Sequence, residues 1–219
     1  MPQGSWQALA AALPAARDAP WWRYPWDGLE EQLDQDLRLI GYGSLVHAGS
    51  ARRTVSSEHR VPVIVAGAKR LFNYEMDPVP DRYGPLRVPE DRAALNVRVT
   101  YRPDDLLNGV HTRVAREEIA ALRTREAGYD LLPVPWVPWT APERPPAVAY
   151  ILTAPEEVIA GRRRTSAAIN PHRQYYALCR AGAASFGAEF LAFWLESTFL
   201  ADGTTPVREW ERLAGPVAE

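Results

Sequence analysis

The sequence predicts an α+β domain: a small mixed or antiparallel β-barrel flanked by helices, with an aromatic extension at its N-terminus. Three observations lead there. Short β-prone runs follow one another mostly without helices between them, and the helical patterns gather late in the chain. A strand–helix–strand alternation of the doubly wound kind is missing. Finally, 47% of the 219 residues are hydrophobic and 10% aromatic, enough for a sizeable core in one domain.

Residues 1–35 read as the extension and 36–219 as the domain. The extension is alanine-rich from Trp6 to Arg17, a short helix, then aromatic through Trp21, Trp22, Tyr24 and Trp26, an arm expected to pack on the domain. Leu37–Gly43 is the first strand and runs into a Gly-Tyr-Gly-Ser turn, a way to end a strand with N–H groups left free for an anion. Val61–Phe72 is β-branched but interrupted by Gly67, which predicts a bent or bulged strand. The prolines and charges between Met76 and Arg92 predict a long loop.

Ala93–Tyr101 and Leu107–Val114 read as strands, with the turn between them expected over Asp104–Gly109 because of Asn108-Gly109. Ala115–Arg125 has helical spacing, with Ile119 and Leu122 on one face, and Gly128 closes it. Leu131–Trp139 is punctuated by prolines and reads as an edge strand or extended arm. Ala147–Leu152 is the last expected strand, before helices over Pro155–Arg163, Pro171–Ala184 and Gly187–Phe199.

The 25 basic and 27 acidic residues leave a net charge of −2, which argues against a nucleic-acid binder relying on phosphate neutralisation. No apolar run reaches membrane-spanning length, and the single cysteine, Cys179, suits a reducing compartment, so a cytoplasmic protein is expected. His47, His59, His111 and His172 show no metal-ligand spacing, so no metal is expected. Gly41-Tyr-Gly43-Ser-Leu-Val46 lacks the third glycine of a dinucleotide fingerprint. Tyr42 and Val46 occupy the positions where a hydrolase elbow around Ser44 would need glycine. Glu126, at a helix end before a glycine, reads by itself as a solvated terminus.

Two segments change that weighing when taken together: Tyr42-Gly43-Ser44-Leu45 and Leu122-Arg-Thr-Arg-Glu126-Ala-Gly-Tyr129. In order and at this spacing, the chain from Leu37 to Trp210 resembles the γ-glutamylcyclotransferase-like superfamily, nearest to its glutathione-acting ChaC-type branch. Weaker similarity lies in Ala94-Leu-Asn96-Val and in Asn170-Pro-His-Arg-Gln-Tyr175-Tyr176. The chain departs from that branch at Val46-His47, where an Ile-Trp pair is usual, and in the proline-rich arm at Leu132–Pro146.

The resemblance implies a β-barrel flanked by helices, and cyclisation of a γ-glutamyl group to 5-oxoproline with release of the attached amine or peptide. Glu126 would be the acid/base, while Gly43, Ser44 and Leu45 would hold substrate through backbone N–H groups. Tyr42, Asn96 and Tyr175 would position it. The substrate would be glutathione or another small γ-glutamyl compound, handled without cofactor by a monomer or homodimer. A non-catalytic binding or scaffold protein on the same barrel is the alternative.

Overall fold

The computed structural model describes residues 3–33, 35–56, 59–76, 78–155 and 165–214. In chain order they form α1 (Gln3–Arg17), α2 (Leu29–Gln32), β1 (Leu37–Gly41) and α3 (Ala48–Ala51). β2 (Val61–Ala66), β3 (Ala68–Glu75), β4 (Ala93–Val99) and β5 (Leu106–Val114) come next. Then follow α4 (Ile119–Arg125), β6 (Asp130–Pro138), β7 (Ala147–Thr153), α5 (Arg173–Ala184), α6 (Ala188–Glu196), β8 (Thr198–Leu200) and α7 (Val207–Ala214). The helix expected over Pro155–Arg163 lies almost wholly outside the described residues.

Five strands close into a barrel in the order β1-β5-β2-β6-β7, and β4-β3-β8 form a second, three-stranded sheet. Pairing is antiparallel except β1 with β7 and β3 with β8. The apolar run around Gly67 is therefore not one bulged strand. Gly67, at φ 77°, breaks it into β2 of the barrel and β3 of the small sheet. A side chain there would also meet Leu13 Cδ2 at 2.5 Å, beneath α1.

Two other expectations are corrected. Asn108-Gly109 is not a turn but the middle of β5, paired with Ile64 and Val63. Glycine is needed there because a Cβ would lie 2.7 Å from the Gly41 carbonyl oxygen. Thr198 and Phe199, expected to finish a helix, belong instead to β8 alongside Arg70–Phe72.

β6 lies between β7 and β2, not at a sheet edge. Its prolines fit by parity. Leu131 turns its N–H and carbonyl away from β7 to pair with Trp22. Pro133 and Pro135 share that orientation, and β2 pairs with β6 only from Trp136 to Pro138. Their missing N–H groups thus fall where no strand needs them.

The aromatic arm packs on the domain. Trp26 is fully buried and donates from Nε1 to the Tyr129 carbonyl at 2.7 Å, and the Tyr24 N–H donates to Asp130 Oδ1 at 2.9 Å. Arg70, also fully buried, ties the two sheets together. Its guanidinium donates to Asn108 O at 2.6 Å and Asn108 Oδ1 at 3.0 Å on β5. It also donates to Thr198 Oγ1 at 2.7 Å and Ser197 Oγ at 3.0 Å, while stacking on Trp194. Burial pulls this group down to about 9, still protonated at neutral pH. Among the described residues no helix is long and apolar enough to cross a membrane.

Candidate active site

β1 delivers the chain into a single 3₁₀ turn, Ser44–Val46, closed by the Val46 N–H on the Gly43 carbonyl at 2.9 Å. Three close approaches fix its shape. A Cβ on Gly41 would sit 2.7 Å from Leu45 Cβ, and one on Gly43 would sit 2.7 Å from the Tyr175 hydroxyl. From below, Gly182 of α5 brings its helix so near that a Cβ would lie 2.6 Å from the His47 backbone nitrogen. Arg60 then donates from Nη2 to the carbonyls of Leu45 and Val46, at 2.7 and 2.8 Å. The turn's carbonyls are held, but its opening N–H groups have no earlier carbonyl to bond. Among the described residues the N–H groups of Gly43, Ser44 and Leu45 find no acceptor.

The second segment arrives from α4. Glu126 is its C-cap, and Gly128 at φ 89° lets the chain fold back so that the Tyr129 N–H reaches the Glu126 carbonyl at 3.1 Å. Tyr129 stacks on Tyr74 at 4.8 Å between ring centroids, and Trp26 holds its carbonyl. Arg125 links the two segments. Its Nε lies 2.9 Å from Glu126 Oε1, and its Nη2 donates to Ser44 Oγ at 3.2 Å. The remaining donors reach Ser50 O at 2.7 Å, Ser50 Oγ at 3.1 Å and Thr54 Oγ1 at 3.0 Å.

Glu126 and the 41–45 run face one small cavity of about 40 Å³, walled by Leu95, Tyr129, Leu152 and Tyr175. The Glu126 side chain keeps only 16% of its surface exposed. Burial pushes its carboxyl above the ordinary carboxylate value, opposed first by Arg125 and more weakly by Arg82. Burial also holds the hydroxyls of Tyr42, Tyr129 and Tyr175 well above their usual range, so at neutral pH they are protonated donors. Cys179, packed beneath Tyr175, is pushed up to about 12 and stays a thiol. Among the described residues no cluster of three or more His, Cys, Asp or Glu side chains could hold a metal.

Six of the seven residues singled out from the sequence therefore line one cavity: Tyr42, Gly43, Ser44, Leu45, Glu126 and Tyr175. Asn96 does not. Its neighbour Leu95 faces the cavity, while Asn96 accepts from the Ala154 N–H at 2.8 Å and lines a separate, larger groove of about 610 Å³. The alternation of a strand sends the two side chains to opposite faces. Sequence reasoning missed Arg125, although it stands inside the quoted motif beside Glu126. It also missed Arg60, for which the chain offers no local signal.

No family model and no curated protein matches the sequence. Solved structures match in three dimensions. A γ-glutamyl cyclotransferase superposes with a TM-score of 0.53 at 12% identity, over 73% of this chain and 86% of that one. The fold is γ-glutamyl cyclotransferase-like. An uncharacterised human protein gives 0.53 at 13% identity, over 74% of this chain and 87% of its own. YkqA from Bacillus subtilis gives 0.51 at 14%, over 75% of this chain and 54% of its own. At these identities the likeness is one of architecture.

Proposed function

We propose that this chain is a γ-glutamyl cyclotransferase, closing a γ-glutamyl group to 5-oxoproline and releasing the attached amine or peptide. One observation carries the reading: a buried carboxylate, Glu126, shares a cavity with the unbonded N–H groups of Gly43, Ser44 and Leu45. The reaction needs both. The free α-amine nitrogen bonds to its own γ-carbonyl carbon, and the bond from that carbon to the departing nitrogen breaks. Glu126 takes a proton from the attacking nitrogen and returns one to the leaving nitrogen, so the carboxylate is regenerated. The N–H groups hold the substrate's α-carboxylate or the oxyanion that develops on the carbonyl.

Folding the glutamyl chain back on itself supplies the proximity that lowers the barrier. At about 40 Å³ the cavity accepts roughly three waters, less than a glutamyl group. Substrate binding accordingly requires the cavity to widen; Tyr175 on its wall packs edge-on against Tyr83 at 5.4 Å.

The test is incubation of the protein with glutathione and with simple γ-glutamyl amides, measuring 5-oxoproline. Product from at least one of them, lost in Glu126→Gln, is the expected result. Product from none would leave the non-catalytic binding reading in its place.

A further inference from the structure

Next to the catalytic cavity lies a second pocket, of about 280 Å³, whose wall includes His47, Arg53, Arg82, Tyr83, Gln174 and Leu178. Three contacts join it to the first. Tyr83 stands between them, packed edge-on against Tyr175. Ser50, on the pocket wall, holds the Arg125 guanidinium that holds Glu126. His47 directly follows the turn that ends in Val46.

The pocket's chemistry is one-sided. Arg53 and Arg82 are both exposed, and among the described residues neither pairs with a carboxylate. The Arg82 guanidinium instead lies 4.6 Å over the Tyr83 ring. His47 Nδ1 accepts the Ser50 N–H at 3.2 Å, which leaves Nε2 as the donor. Gln174 adds an amide, and Leu178 with the Tyr83 ring provides an apolar side. Two cations in no close ion pair and a donor nitrogen suit an anion larger than a buffer ion, attached to a short chain.

We propose that this pocket receives the part of the substrate released as the amine, and that Arg53 and Arg82 select an amine carrying a carboxylate or phosphate. The inference rests on the cyclotransferase reading, since it assigns the pocket to the leaving group of that reaction. The glutamyl head would occupy the cavity at Glu126, its scissile amide would lie near Tyr83, and the leaving group would extend toward the two arginines.

The experiment compares kcat/KM for 5-oxoproline release from γ-glutamylglycine, its uncharged amide γ-glutamylglycinamide, and γ-glutamylphosphoethanolamine. Wild-type protein is expected to prefer an anionic compound over the amide by at least about tenfold, mainly through KM. The better of the two anions distinguishes carboxylate from phosphate. In the Arg53→Gln/Arg82→Gln double variant that ratio should fall to within about twofold of one, because both long-range attraction and direct hydrogen bonds are gone. Equal kcat/KM for all three compounds in the wild type, or a preference untouched by the double substitution, overturns the proposal and leaves the cyclotransferase intact. No 5-oxoproline from any compound overturns both.

Discussion

Arg125 Nε lies 2.9 Å from Glu126 Oε1, so consecutive residues set a permanent cation against a carboxyl that burial makes reluctant to ionise. Burial wins, and the carboxyl sits above its ordinary value. Burial thus leaves the proton-transfer group closer to neutral pH than Arg125 acting alone would leave it. Arg125 also reaches Ser44, 81 positions earlier, which makes it the strut between acid and turn.

Arg125→Gln is expected to shift the pH–rate profile. Glu126 works as a base only when ionised, so kcat/KM falls as pH drops through its pKa. Arg125 lowers that pKa, and without it the acidic limb should move to higher pH. Profiles of the two proteins measure this; a limb that stays in place would show that the ion pair does not tune the acid.

Glu126→Gln should reduce turnover by at least about a hundredfold, the scale of a lost general acid/base. Stability should move the other way. A carboxyl whose folded value is raised binds its proton more tightly in the folded state, so its contribution is favourable at low pH and is lost as pH rises through the folded value. The amide removes that cost at pH 7. Urea midpoints should be equal or higher for the variant at pH 7, and the difference should vanish near pH ~4. Arg125 retains its bonds to Ser44, Ser50 and Thr54 in the variant.

Gly43→Ala would place a methyl 2.7 Å from the Tyr175 hydroxyl, whose ring is pinned by Tyr83 and Phe72. A cost of roughly 1–3 kcal/mol is expected from overpacking. Adding Tyr175→Phe removes the colliding atom and should recover most of it, which a double-mutant cycle by denaturant unfolding would read. Gly182→Ala should have no such partner for rescue, because its methyl meets the His47 backbone at 2.6 Å.

Arg70→Lys should destabilise by about 3 kcal/mol or more. One ammonium cannot reach the Asn108, Ser197 and Thr198 acceptors that the planar guanidinium spans, and each buried acceptor left bare carries its own penalty. Equal unfolding midpoints for the two proteins would show that the strut between the sheets is dispensable.

Much of this was written locally in the chain. Short β-prone runs marked β4 and β7 nearly to the residue, and the glycines at 41, 43 and 128 marked the turns that the site is built from. The errors share a cause. Asn108-Gly109 carries the residues of a hairpin turn, but its glycine answers a neighbouring strand's carbonyl. The prolines of β6 signal an edge, yet the missing donors face a stretch that β2 does not reach. Asn96 is a buried amide of the right type on the wrong face of its strand.

By itself the sequence determined the fold class, the position of most elements, and two segments whose residue types suit proton transfer and anion binding. These are properties of contiguous residues, set by backbone conformational preference and by side-chain periodicity. The tertiary structure alone decided that Ser44 and Glu126 share a cavity, that Arg125 and Arg60 hold its parts, and that Asn96 is excluded. Those depend on barrel closure and on the approach of α5, which bring distant residues within a few ångströms through packing that no local pattern encodes.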